Sequence, residues 1–204
     1  MRQIVYVALT FVAVMLASLV IFKPDQALTP LPRQMPWFEL QTADKTLFTK
    51  KDLQGSYSLV YFGFTQCPDL CPNSMSLAKE AMATLRSKGP YIKDLRVIFI
   101  SVDPDRDTPK IADRYAKFFD EAFLGFSILD SQRKLLLGAL DTVANNDRKS
   151  LEDTDYQVYH PTSFYLFDKK GRWAAEIKDP KDKEQLIAAI TNTVMAAKES
   201  KEKI

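Results

Sequence analysis

The chain has 204 residues, enough for one domain of ordinary size with a short extension. Its 28 Lys and Arg residues against 26 Asp and Glu residues give a net charge of +2, so no nucleic-acid partner is expected. With 2 cysteines and 1 histidine, the composition excludes a disulfide-stapled mini-protein and a zinc finger built from four Cys and His ligands.

The beginning of the chain is a long apolar segment. Residues 3–22 carry no charge, and a helix of about 20 residues spans roughly 30 Å, the thickness of a bilayer's hydrocarbon core. The apolar part of a signal peptide usually has about 7–15 residues. The length therefore favours a membrane anchor over residues 1–23, with a removed signal peptide as the alternative. We expect the rest of the chain on the exported side, the bacterial periplasm or its equivalent, where disulfides can persist.

A folded domain is expected after a proline-rich linker. Residues 24–36 are rich in proline and show no apolar periodicity, which predicts an extended linker. The domain then covers residues 37–204, with a frayed C-terminal end.

Strand-like and helix-like periods alternate along this domain. Strands are predicted at residues 37–40, 45–48, 58–64, 95–102 and 126–129, and in a hairpin of residues 156–167 with 173–177. Helices are predicted at residues 71–88, 108–119, 131–143 and 180–197. This order predicts an α/β fold in which helices cover both faces of a mixed sheet.

Two cysteines follow the strand predicted at residues 58–64, where a helix begins. The segment 62–72 reads FGFTQCPDLCP, which predicts Cys67 at the helix start and Cys71 in its first turn, on one face and about 6 Å apart. A helix N-terminus stabilises a thiolate, so the pair suits a thiol/disulfide couple or a thiophilic metal such as Cu(I). A structural disulfide is the alternative, although a bridge that closes so small a loop stabilises little.

His160 is the only histidine of the chain. It stands just before a proline and an apolar strand, which predicts a loop at the end of the sheet, where ligands of α/β proteins gather. A structural or surface histidine is the ordinary interpretation. If the same end of the sheet also holds Cys67 and Cys71, two thiolates and one imidazole suit trigonal copper and leave a tetrahedral zinc site one ligand short.

A third segment, DPDRDTP at residues 103–109, ends a strand and precedes a helix. The ordinary interpretation is a turn with Thr108 as helix N-cap and Pro109 at the first helical position. Alternatively, its three closely spaced carboxylates orient a metal ligand or a partner.

Three segments of the chain together resemble the SCO/SenC family. They read FGFTxCPDxCP at residues 62–72, SVDPDRDTP at residues 101–109 and YxVxH at residues 156–160. Members of this family are membrane-anchored, thioredoxin-like copper proteins that help assemble the copper site of cytochrome c oxidase. The resemblance extends over about residues 35–197. It implies a thioredoxin-like fold and a copper metallochaperone, which binds copper through two Cys and one His and delivers it to subunit II of the oxidase. The residues that match the family's ligands are Cys67, Cys71 and His160.

The surroundings of His160 differ from the family pattern. The family usually has Asp before this histidine and Ser or Thr after it, whereas Tyr159 and Pro161 stand here. The sequence from Pro161 onward is similar to the cis-proline segment of thioredoxin-like thiol oxidoreductases. The alternative function is therefore a membrane-anchored thiol-disulfide oxidoreductase that keeps a partner's copper-ligand cysteines reduced, with Cys67 attacking and Cys71 resolving. A binding module with an inert structural disulfide is a third possibility.

Overall fold

The structure is a computed structural model, and it describes residues 32–87, 94–150 and 152–202. Its strands are β1 (Arg33–Gln34), β2 (Glu39–Gln41), β3 (Leu47–Thr49), β4 (Tyr57–Gly63), β5 (Leu95–Ser101), β6 (Leu124–Ile128), β7 (Asn145–Asn146), β8 (Val158–Tyr159), β9 (Phe164–Phe167) and β10 (Arg172–Ile177). Its helices are α1 (Leu70–Ser87), α2 (Pro109–Phe119), α3 (Asp130–Ala139) and α4 (Lys183–Glu202), with a 3-10 turn at Lys50–Leu53.

Eight strands form one mixed sheet in the order β1-β10-β9-β4-β5-β6-β2-β3. The three strands β4, β5 and β6 run parallel, connected by α1 and α2, while β9 lies antiparallel beside β4 and β10 lies antiparallel beside β9. All residues of β4 are buried, as its uninterrupted apolar sequence predicts for a strand covered on both faces. The carboxyl end of β4 is therefore held at the centre of the sheet, and the cysteine segment follows directly from it.

Helices lie on both faces of this sheet. On one face α1 packs against α2 and α4, and the ring of Tyr115 in α2 lies 4.8 Å from that of Phe99 in β5. On the other face Leu136 of α3 lies against Val60 and Ile98. Because successive side chains of a strand point to opposite faces, Phe99 faces the helices on one side of the sheet and its neighbour Ile98 faces α3 on the other. The predicted thioredoxin-like α/β fold, a mixed sheet between two layers of helices, is confirmed.

The sheet begins inside the segment predicted as a linker. Arg33 and Gln34 pair with β10, the Arg33 guanidinium lies 4.1 Å from the centre of the Trp173 ring, and Met35 is buried. Prolines near these residues suggested an extended linker, but an edge strand tolerates neighbouring prolines because one of its sides donates no hydrogen bonds to the sheet.

The predicted strand over residues 156–167 is divided. Val158 and Tyr159 pair with β7 in a separate two-stranded sheet, and β9 begins only at Phe164. Pro161 between them has no N–H to donate to a ladder. The break leaves His160 on a loop at the end of the sheet, as predicted.

The predicted membrane anchor at residues 1–23 lies outside the described residues. Within residues 32–87, 94–150 and 152–202, no helix has the length and apolar character needed to cross a membrane. The anchor therefore stays a prediction.

Candidate metal centre

The two cysteines lie at the junction of β4 and α1. The helix begins at Leu70, so Cys67 precedes it and does not stand at its start as predicted. The reason is that the Cys71 amide donates to the Cys67 sulfur at 3.4 Å, and the first backbone bond of helical spacing runs from Asn73 to Asp69. The sulfur of Cys67 therefore accepts the amide hydrogen that a backbone carbonyl would accept in the first turn of a helix.

The two thiols differ in exposure. Cys71 is fully buried and Cys67 is partly exposed, and neither is in a disulfide. Burial raises the pKa of the Cys71 thiol, so this group is protonated at neutral pH until a metal replaces the proton. Gly63 leaves the space that the buried sulfur occupies, since a Cβ added there would lie 2.5 Å from the Cys71 Sγ. Cys71 thus forms the floor of the site and Cys67 its accessible side.

His160 approaches the cysteines from the loop between β8 and β9. Its Nε2 lies 3.4 Å from the Cys71 Sγ, and its Nδ1 donates to the Pro161 carbonyl at 3.0 Å. The rings of Tyr61 and Phe64 pack edge-on against the imidazole, with centroid distances of 6.1 and 5.7 Å. Burial lowers the pKa of His160, which favours the neutral ring. The neutral tautomer with hydrogen on Nδ1 presents the Nε2 lone pair toward the sulfur.

The positions that differ from the family pattern have separate roles. Tyr159 is 61% exposed and belongs to β8. Pro161 supplies the carbonyl that orients the His160 ring, a function that a carboxylate often serves at metal sites. The described peptide bonds are all trans, so the expected likeness of Pro161 to a cis-proline segment is not found.

The ligand-type atoms of Cys67, Cys71 and His160 lie within 4.8 Å of one another. Metal–nitrogen and metal–sulfur bonds of about 2.0–2.3 Å place the donors of a trigonal site roughly 3.5–4 Å apart, so a small closure of this cluster fits one ion. Two soft sulfurs and an imidazole suit Cu(I) and are poor ligands for Mg²⁺ or Ca²⁺. In the part of the chain that the structure describes, no other group of three Cys, His, Asp or Glu residues is so arranged.

An open cavity of about 260 Å³ lies over the exposed side of this cluster. Its lining is mostly apolar and consists of Phe64, Cys67, Pro68, Asp69, Leu70, Gln157, Val158, Tyr159 and His160. The cavity gives an ion or an incoming ligand access to Cys67 and His160, while Cys71 stays behind them.

The acidic segment at residues 103–109 holds the cysteine loop in place. Asp107 is fully buried and accepts hydrogen bonds from the Thr65 amide at 2.7 Å, the Thr65 hydroxyl at 2.5 Å and the Ser101 hydroxyl at 2.6 Å. The predicted cap is present as well, because Thr108 accepts from the Ile111 amide at 3.4 Å. Asp107 therefore ties the turn before Cys67 to the end of β5.

The other two acids of this segment have different surroundings. Asp103 is buried and accepts from the Tyr156 hydroxyl at 2.5 Å, whereas Asp105 is half exposed and pairs with Arg148 at 2.5 Å. The sequence analysis did not link Tyr156 to these acids. A buried Asp in a polar turn needs a partner, and the tyrosine four residues before His160 was a candidate.

The family model that matches this chain is that of SCO1/SenC, over residues 27–195. Among curated relatives, an SCO2-like protein of Rickettsia felis is 32% identical over 136 residues, covering 67% of this chain and 65% of the relative. The chain thus spans slightly less than two thirds of that relative's length.

Solved structures show the same fold. Copper-bound ScoI of Arabidopsis thaliana is 26% identical, covers 79% of this chain and 98% of its own, and superposes with a TM-score of 0.70. BsSco, described as a member of the Sco family of cytochrome c oxidase assembly proteins, is 22% identical, with a TM-score of 0.63 over 84% of this chain and 99% of its own. The second likeness is one of fold alone.

Proposed function

This chain belongs to the SCO1/SenC family, and from that premise we propose that it is a copper metallochaperone. It binds one copper ion through Cys67, Cys71 and His160 and delivers the ion to the copper site of cytochrome c oxidase. The observation that carries this proposal is the convergence of the three ligand atoms within 4.8 Å. The copper-bound ScoI structure with the same fold supports copper as the metal.

Transfer is a stepwise exchange of ligands at the open side of the site. Cys67 and His160 line the cavity, so a ligand of the acceptor reaches the ion there and displaces them before it displaces Cys71. The buried Cys71 leaves last and takes up a proton as the metal departs, because burial favours its neutral thiol. The ion is thus always bound by at least one protein ligand during the transfer.

We further propose subunit II of the oxidase as the acceptor and the exported side of a membrane as the location. The family resemblance supports the acceptor. The uncharged residues 3–22 support an anchor over residues 1–23, and the prolines of residues 24–36 support a linker before the domain.

The alternative function, thiol-disulfide exchange, is less well supported. The copper-bound ScoI structure with the same fold favours metal transfer. A redox role would also need a resolving thiolate at Cys71, whose pKa burial raises.

An anaerobic Cu(I) titration of the full chain in detergent tests the proposal. We expect one copper per chain in the wild type, no tight binding in Cys67→Ser, and binding at least about 10-fold weaker in His160→Ala. Met75→Leu is the matched control, because Met75 is a fully buried thioether in α1 outside the three-residue cluster. Tight stoichiometric binding in His160→Ala would contradict the three-ligand site, and loss of binding in Met75→Leu would reveal a thioether ligand.

A further inference from the structure

We propose that Arg106 is a positioning residue for His160. It links the turn after β5 to the loop that carries the histidine and so sets the distance between the imidazole and the two cysteines. The inference rests on the proposed function, because it concerns the same three ligands.

Arg106 makes contacts with three different segments. Its Nε donates to Asp103 at 2.5 Å, and its Nη1 donates to the Tyr156 carbonyl at 3.0 Å. The guanidinium carbon lies 3.7 Å from the centre of the Tyr156 ring and 5.6 Å from that of Phe64. Arg106 therefore touches its own turn, the loop four residues before His160, and the residue that directly follows β4.

Two routes lead from these contacts to the imidazole. Along the chain, Tyr156 is followed by the short strand β8 and then by His160. Through space, the Phe64 ring is near both groups, with its centroid 5.6 Å from the Arg106 guanidinium carbon and 5.7 Å from the centre of the imidazole. A movement of Arg106 would shift both the backbone that carries His160 and the ring against which it packs.

The buried ion pair of Arg106 and Asp103 is poorly suited to a purely stabilising role. The Asp103 side chain is 1% exposed and that of Arg106 is 13% exposed, so both charges lose most of their hydration. Among the described residues, the buried Nη2 of Arg106 has no hydrogen-bond partner. Apolar residues often replace a buried ion pair without loss of stability, and an unsatisfied buried donor adds a cost. What the guanidinium contributes here is a fixed geometry between two loops.

The planar fork of arginine is required for this geometry. One plane donates simultaneously to a carboxylate and to a carbonyl while it stacks on an aromatic ring. A lysine keeps the positive charge beside Asp103 but has a compact ammonium that cannot reproduce the fork. Arg106→Lys therefore removes the planar fork that positions the loop while it keeps the positive charge beside Asp103.

The test is a double-mutant cycle on the full chain, with Cu(I) affinity measured by competition with a chromophoric chelator. We expect Arg106→Lys to weaken copper binding about 10-fold, as loss of an orienting partner does at other metal sites. In the His160→Ala background the same change should have no further effect, because the ligand that it positions is absent. Arg86→Lys is the matched control. It alters an Arg–Asp pair of 2.6 Å at the far end of α1 and should leave affinity unchanged.

A second measurement uses the metal-free protein. Hydrogen exchange at the amides of residues 156–160 should become faster in Arg106→Lys, while exchange in α2 stays unchanged, because only the loop loses its restraint. If Arg106→Lys does not fold, Asp103→Asn combined with Arg106→Met removes both charges and serves in its place.

The outcomes separate this inference from the proposed function. Equal weakening of copper binding in both backgrounds, or unchanged exchange in residues 156–160, would overturn the positioning role. If the wild type binds no copper, or His160→Ala binds as tightly as the wild type, the three-ligand function fails and the exchange measurement alone decides whether Arg106 holds the loop.

Discussion

The two segments that supply the proposed ligands are held in different ways. The cysteine segment continues directly from the central strand β4 into α1, and its Cys71 is fully buried. The histidine segment contains only the two-residue strand β8, paired with an equally short β7, before it reaches His160. One side of the site belongs to a long strand and a long helix, and the other is a loop with little regular secondary structure, held by polar contacts and by the buried side chains of Tyr156 and Val158.

This difference suits the proposed metal transfer, in which the protein binds an ion and then releases it. Segments with little regular secondary structure open at a lower free energy than long central strands and helices do. The histidine loop can therefore move away from the ion while the cysteines keep their geometry. We infer that the rigid pair provides affinity and the loop provides release.

The largest effect is expected when the cysteine segment loses its anchor. Asp107→Ala removes the acceptor for the Thr65 amide and hydroxyl and for the Ser101 hydroxyl. Buried donors left unpaired cost about 1–3 kcal/mol each, so we expect the free energy of unfolding to fall by about 3 kcal/mol. Urea denaturation of the metal-free protein measures the change.

Asp105→Ala is the control for this prediction. Asp105 belongs to the same turn, but its side chain is 49% exposed, and it pairs with Arg148 at the surface. An exposed ion pair contributes less than about 1 kcal/mol. Equal destabilisation by the two variants would show that the turn, and not the buried Asp107 carboxylate, holds the segment.

A smaller effect is expected from filling the space beneath Cys71. In Gly63→Ala the new Cβ would lie 2.5 Å from the Cys71 Sγ and 3.1 Å from the Phe99 ring. Overpacking of a tight core costs about 1–3 kcal/mol. We expect a loss of about 2 kcal/mol in unfolding free energy, together with weaker copper binding because the sulfur must move.

Gly138→Ala provides the comparison for that variant. A Cβ on Gly138 meets nothing within 4 Å, and the residue is exposed in α3. Alanine is the better helix former, so this change should leave copper binding intact and stabilise the fold by up to about 1 kcal/mol. If Gly63→Ala binds copper as the wild type does, the cysteine segment is more adaptable than its packing indicates.

The sequence predicts the rigid segment better than the loop. The apolar run of β4, the helix cap at Thr108 and the cysteine pair are local signals, and each needs only neighbouring residues to be recognised. Even so, Cys67 was placed at the start of α1 although it precedes the helix, because no propensity rule shows that the Cys71 amide bonds to the Cys67 sulfur.

What the sequence could not predict are contacts between distant segments. The strand at Arg33 is defined by Trp173 at the other end of the domain. Asp107 and Thr65 are 42 residues apart, and Tyr156 and Asp103 are 53 apart, so their hydrogen bonds depend on the completed fold. The position of His160 on a loop at the end of the sheet could nevertheless be predicted, because ligands of α/β proteins generally bind at strand ends.

The smallest effect is expected at the attachment of the histidine loop. Tyr156→Phe removes the hydroxyl that donates to Asp103 at 2.5 Å. A hydrogen bond to a charged group contributes about 1.5–3 kcal/mol, and Arg106 still pairs with Asp103, so we expect a loss of about 1.5 kcal/mol in unfolding free energy at pH 7.

The same variant has a pH signature that a simple packing defect lacks. Burial, together with Asp103, raises the pKa of Tyr156 to about 12 from its ordinary value of 10.0. Stabilisation by a group with a raised pKa is complete below the unfolded value and is lost as pH rises toward the folded one. The wild type should therefore keep its advantage over Tyr156→Phe up to about pH 10 and lose it progressively between about pH 10 and pH 12, as measured by urea denaturation. An advantage that does not narrow in this range would mean that the ring of Tyr156, and not its hydroxyl, attaches the loop.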